Sequence, residues 1–139
     1  MATTVAEVMT SNPATIDRQG SVADAARLMA EHDAGGVIVV SDGTVQGIVT
    51  DRDIALRVVA QDKPGSTPVA DIMSDTALQT VAPDTIIDYA VEVMRARSVR
   101  RLPVVEDGRP VGIVSLGDMA LARDPGSALA DISAAEGNR

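Results

Sequence analysis

The chain has 139 residues, a formal net charge of −8 and an apolar fraction of 45%, enough core for one ordinary domain or two very small ones. It has no cysteine, which excludes disulfides and thiolate metal sites and suits a reducing cytoplasm. The acidic balance argues against a nucleic-acid partner, and the longest apolar run, Val37–Val40, is far too short to span a membrane.

The opening MATTVAEVMT lacks the basic region and apolar stretch of a signal peptide, so a cytoplasmic protein without a membrane partner is expected. With no Phe or Trp and a single Tyr, Tyr89, the core must be built from interdigitated Val, Ile, Leu, Ala and Met. In chain order, a short segment ending at Met9 leads to a brief strand, Ala14–Ile16. Ser21-x-x-Asp24 reads as a helix cap, and Val22, Ala25, Ala26, Leu28 and Met29 follow at helical spacing. Then come a strand Val37–Val40, the turn Ser41-Asp42-Gly43 and a strand Val45–Val49; Asp-Gly between β-rich runs signals a hairpin. A second helix is predicted over Arg52–Val59, and QDKPGSTP at 61–68 is the linker.

The same order then returns. Val5-Ala6-Glu7-Val8-Met9 recurs as Val69-Ala70-Asp71-Ile72-Met73, and Gly47-Ile48-Val49 as Gly112-Ile113-Val114. The second copy has a brief strand Leu78–Val81, a cap at Thr85-x-x-Asp88, and a helix carrying Ile87, Ala90, Val91, Val93 and Met94. Strands Leu102–Val105 and Val111–Val114 around Glu106-Asp107-Gly108 follow, then a helix over Gly117–Ala122. Each copy reads β-α-β-β-α, an α/β (α+β) pattern. A unit so small needs a second one to cover its sheet, so the two copies are expected to pack with pseudo-twofold symmetry. The boundaries read as residues 1–62, 63–123 and a polar tail, 124–139.

The spelling shared by both copies is Gly-Ile-Val-Thr50-x-x-Asp53 and Gly-Ile-Val-Ser115-x-x-Asp118. One reading is a helix cap, hydroxyl at the N-cap and carboxylate three residues on; Ser21/Asp24, Thr85/Asp88 and Thr4/Glu7 share that spacing. Capping does not explain the Gly-Ile-Val before it. A buried strand that delivers a hydroxyl to a helix N-terminus places free amides and positive dipole where phosphate is welcome. A carboxylate one turn in can accept hydrogen bonds from vicinal ribose hydroxyls. The two readings are compatible.

Repeated β-α-β-β-α units carrying RRLPVVEDGRPVGIVSLGDM and GGVIVVSDGTVQGIVTDRDI closely resemble a pair of CBS (cystathionine β-synthase) domains, a Bateman module. The resemblance implies a regulatory or sensory module that takes AMP, ADP or ATP in clefts between the repeats, with magnesium if the ligand is ATP, and that assembles as a homodimer. It gives Asp53 and Asp118 the ribose and Thr50 and Ser115 the phosphate side. Adenine would lie against backbone and against Ile16 and Val37, or Val81 and Leu102. The family's usual LPVV is intact at Leu102–Val105; the first copy has Val37–Val40 preceded by Gly35-Gly36.

Arginine is the other asymmetry. Arg95 and Arg97 suit a helix C-terminus. Arg100 and Arg101 lead into a buried strand and are phosphate candidates. Arg52, at a helix start, is unfavourable without an anion nearby and is a further one. Nothing supports an enzyme: His32 stands without nucleophile or metal partners, Asp51 and Asp53 share one helical turn, and there is no Walker-type loop. No catalytic cofactor or metal site is expected. The alternatives are a scaffold acting through protein contact on an unknown target, or the same module binding S-adenosylmethionine or NAD, which carry the same ribose diol.

Overall fold

The computed structural model of the chain describes residues 3–74 and 79–123 and, in the tail, positions 126, 132, 134 and 135. Two units cut across the repeats: Ala14–Leu78 forms one, and Met1–Pro13 with Gln79–Arg139 forms the other. The leading segment of each repeat therefore belongs with the body of the other.

In the unit Ala14–Leu78, strand β2 (Thr15–Asp17) runs parallel to β3 (Gly36–Ser41), which pairs antiparallel with β4 (Thr44–Thr50). The β3–β4 turn is Asp42-Gly43, with φ of 52° and 78°. Two successive positive φ values make the type I′ turn that Asp-Gly favours. Val39 pairs with Gly47 and Val40 with Val45, so Gln46 is the extra residue of a bulge. Helix α2 (Val22–His32) is capped by Ser21, whose side chain accepts the Asp24 N–H. It buries Val22, Ala25 and Met29 against Ile16, Val37, Val39 and Val49. Helix α3 (Asp51–Arg57) ends earlier than the expected Val59, and a 3-10 turn, Val59–Gln61, carries the chain on.

The segment after the linker closes this unit. Val22 N–H donates to Thr67 O at 2.8 Å and Val69 N–H to Gly20 O at 2.8 Å. Ser74 and Ile48 exchange both backbone bonds, and Val69 and Ile72 join the core.

The other unit follows the same plan. Strand β5 (Arg101–Glu106) pairs antiparallel with β6 (Arg109–Ser115) around Asp107-Gly108, with φ of 53° and 80°. Helices α4 (Ile87–Arg97) and α5 (Leu116–Arg123) accompany them. Here the closing segment is the N-terminus: helix α1 (Val5–Val8) and strand β1 (Thr10–Ser11), which pairs with Ile113 and Gly112 of β6. Val5 N–H donates to Thr85 O at 2.7 Å and Ile87 N–H to Thr3 O at 3.0 Å, the counterparts of the Val69 and Val22 bonds.

Three expectations need correction. Thr85 does not cap α4; its hydroxyl accepts the Ala82 N–H at 3.1 Å, and the N-cap residue is Ile86, with no side-chain cap. The hydroxyl is taken up by the turn through Pro83 and Asp84, so the helix starts one residue later. The brief strand expected over Leu78–Val81 is, in its described part, a single parallel bridge between Val81 and Val104. In the first copy Ile38 N–H donates to Ala14 O; its counterpart Pro103 has no N–H to give, which removes that ladder bond. Helix α5 runs one residue beyond each expected end. The polar tail lies almost wholly outside the described residues.

Candidate functional site

The end of β4 and the start of β3 lie side by side: Thr50 pairs with Gly36, and Asp51 N–H donates to Gly35 O at 3.1 Å. Helix α3 opens there with a reciprocal capping box. Thr50 N–H donates to Asp53 Oδ2 at 2.9 Å and Asp53 N–H to Thr50 Oγ1 at 3.1 Å. Asp53 is one of the two buried polar residues among those described. Its other oxygen, Oδ1, is 3.5 Å from Arg57 Nη1, and that nitrogen also donates to Ile72 O at 2.8 Å. Arg57 has no signal in the local pattern beyond helix-end charge; its tie to a residue 15 positions away depends on the fold.

The second copy builds the same junction. Arg101 pairs with Ser115, and Leu116 N–H donates to Arg100 O at 2.8 Å. Ser115 N–H donates to Asp118 Oδ2 at 2.8 Å and Asp118 N–H to Ser115 Oγ at 3.2 Å. The capping reading of both motifs is therefore observed. It does not exhaust them, because a hydroxyl oxygen that accepts an amide still has a proton to donate, and a carboxylate has about four acceptor positions.

The glycine before the second motif has a packing reason. Gly112 is buried beneath the N-terminal segment, and a Cβ there would overlap Met9 Sδ and lie 3.0 Å from Thr10 O. Gly47 is likewise buried, next to the bulge residue Gln46 in β4 and paired with Val39 of β3.

The cations change sides between the copies. The two residues that lead into the buried strand and open it are Arg100 and Arg101 in the second copy and Gly35 and Gly36 in the first. On the helix side, Arg52 stands where the second copy has Gly117. Arg52 and Arg100 are exposed and Arg101 is half-buried at the strand end. Arg101 is the register partner of Ser115 and Arg52 stands two residues after Thr50, so each junction has an arginine close by along the backbone. Arg95 pairs with Glu92 at 2.9 Å on the surface of α4, as a helix-face role requires. The four apolar candidates are core residues. Ile16 and Val37 pack in the first unit's core and Val81 and Leu102 in the second's. Val37 and Leu102 are 0% and 1% exposed, so both are filled in around on every side by the cores of their units.

No group of three or more His, Cys, Asp or Glu among the described residues could hold a metal ion. No helix among them is long and apolar enough to cross a membrane.

The family model for the CBS domain matches residues 5–60 and 69–124. The chain is 41% identical over 133 residues to the CBS domain-containing protein YhcV of Bacillus subtilis, covering 93% of this chain and 94% of that protein. Among solved structures, the CBS domain pair of protein MJ0100, in complex with 5′-methylthioadenosine and S-adenosyl-L-methionine, superposes with a TM-score of 0.82. It is 26% identical, with 91% of this chain and 100% of that one covered. A hexameric CBS-CP12 protein from bloom-forming cyanobacteria matches with a TM-score of 0.79 at 31% identity, over 89% of this chain and 74% of that one.

Proposed function

The chain belongs to the CBS domain family, with two copies in tandem, and we propose that it is a regulatory module that binds an adenosine-containing ligand and carries out no catalysis. The observation that carries this reading is the junction built twice, where a buried strand hands a hydroxyl and a carboxylate to a helix start with an arginine alongside. Capping accounts for a hydroxyl and an acid; it gives no reason to set Arg100 and Arg101 beside Ser115, or Arg52 beside Thr50.

The division of labour follows from the chemistry. Asp53 and Asp118 accept from the ribose diol, which asks for two acceptors on one group. The hydroxyls of Thr50 and Ser115 donate to phosphate, with Arg100 and Arg101 or Arg52 supplying charge. The adenine lies toward the strand ends near Ile16 and Val37, or Val81 and Leu102. The arginines favour a phosphorylated ligand, AMP, ADP or ATP, with magnesium if it is ATP. S-adenosylmethionine is the second reading, supported by its presence in the MJ0100 complex and by the shared ribose diol. A homodimer is part of the proposal.

A thermal-shift series with AMP, ADP, ATP, S-adenosylmethionine and NAD tests it. A ligand at 100 times its Kd adds about 2.7 kcal/mol to the folded state, so at least one of the five should raise Tm by several degrees at millimolar concentration. If all five leave the melt unchanged, the module acts as a scaffold instead.

A further inference from the structure

We infer that Arg57 links occupation of the first copy's carboxylate, Asp53, to the packing of the segment Val69–Ser74. The inference rests on the reading of Asp53 as a ribose acceptor. One guanidinium nitrogen serves both partners: Nη1 is 3.5 Å from Asp53 Oδ1 and 2.8 Å from Ile72 O. The carboxylate's other oxygen is committed to Thr50 N–H. Ile72 is 2% exposed and Val69 fully buried, and the backbone bonds between Ser74 and Ile48 pin the end of the same segment. Arg57 thus stands between the acid of the junction and the strip of chain that closes the unit.

The cap itself does not require this arginine. At the equivalent place in α5 the second copy has Ala122, yet the Ser115–Asp118 box forms; the neighbouring Arg123 pairs with Asp88 at 3.7 Å. A ribose hydroxyl donating to Asp53 Oδ1 competes for the lone pairs that face Arg57. The carboxylate keeps its charge, but with that oxygen shared its direct hold on the guanidinium, and so on the contact with Ile72 O, weakens. The Arg57 side chain is 52% exposed, so it can leave into water. The coupling is reciprocal: whatever loosens the segment makes Asp53 easier to occupy.

The test uses the full chain carrying Asp118→Asn, which weakens the second site at least tenfold and so brings out the first, with AMP and S-adenosylmethionine as probes. Hydrogen exchange of the Ser74 amide and calorimetric affinity are the readouts. With Arg57 present, ligand should speed exchange at Ser74. With Arg57→Ala added, exchange should be fast without ligand and indifferent to it. Affinity should rise roughly two- to fivefold, the scale of a partly exposed ion pair. Lower stability with unchanged affinity and ligand-independent exchange would reduce Arg57 to a structural tie and overturn the coupling. If either probe binds the wild type but neither binds Asp118→Asn, the coupling fails while the second copy's function stands. Binding of neither to the wild type overturns both. Should Arg57→Ala not fold, Arg57→Gln keeps a donor for Ile72 O without the charge: exchange at Ser74 should then stay slow and indifferent to ligand, and ligand-accelerated exchange as in the arginine chain would overturn the coupling.

Discussion

Ser115 and Asp118 hold each other through two crossed bonds, Ser115 N–H to Asp118 Oδ2 at 2.8 Å and Asp118 N–H to Ser115 Oγ at 3.2 Å. Thr50 and Asp53 do the same at 2.9 and 3.1 Å. A box of this kind fixes the rotamers of both side chains before any ligand arrives, which lowers the entropy a ligand must overcome to order them. It also means that replacing either residue alters stability through the cap, so a test of the proposed binding has to use variants that separate the two.

Gly112 offers a variant that tests packing beneath the motif. Gly112→Ala drives a methyl into Met9 and against Thr10 O, and overpacking of this sort costs about 1–3 kcal/mol. Urea melts should show the loss, and Met9→Ala in the same chain should recover part of it, because the sulfur moves out while Thr10 O remains. An unchanged midpoint for Gly112→Ala would show that β1 does not lie on β6 as described.

The crossing of the leading segments predicts how the chain can be cut. Residues 1–62 contain the whole first repeat by sequence but lack Val69 and Ile72, which fill the core of the unit Ala14–Leu78. That fragment should show no cooperative thermal transition by circular dichroism. In the full chain, Ile72→Ala should cost about 2–5 kcal/mol. A cooperatively folded 1–62 fragment would contradict the crossing.

Much of this was legible in the residues. The Asp42-Gly43 and Asp107-Gly108 turns, the Ser21 cap and the two Thr/Ser-x-x-Asp boxes stand where the pattern puts them, because each is a local device whose partners lie within four residues. Thr85 shares the cap spacing and does not cap, since its hydroxyl accepts the Ala82 N–H across the Pro83-Asp84 turn. The loss of a strand at Val81 was hidden in Pro103, whose missing N–H matters only once the partner strand is known. The crossing segments and the Arg57–Ile72 bond were out of reach, because they join positions that only the fold brings together. Val37 and Leu102, which the resemblance places with backbone against adenine, lie wholly inside the cores, a burial that the apolar run of each strand already signals.

Assembly is the next expectation. Leu56 on α3, Tyr89 on α4 and Leu121 on α5 are 47%, 59% and 37% exposed, and twofold closure is the commonest way to cover such positions. Sedimentation at micromolar concentration should give twice the chain mass of 14.4 kDa, and Tyr89→Asp or Leu121→Asp should shift it toward one chain. A mass near that of a single chain for the wild type would remove the dimer.

The central claim is that the repeated carboxylate holds ribose, and Asp118 tests it most directly. Asp118→Asn keeps an oxygen for the cap but loses charge-assisted bonds of about 1.5–3 kcal/mol each to the diol, so the affinity of the second site for AMP should fall at least tenfold. Loss of the helix-dipole interaction alone would cost only about 0.3–1 kcal/mol, in stability rather than affinity. The decisive measurement is isothermal titration of AMP and 2′-deoxy-AMP against the wild type and Asp118→Asn. The wild type should prefer AMP and the variant should lose most of that preference; equal affinity of the wild type for the two sugars would take Asp118 off the ribose and contradict the account.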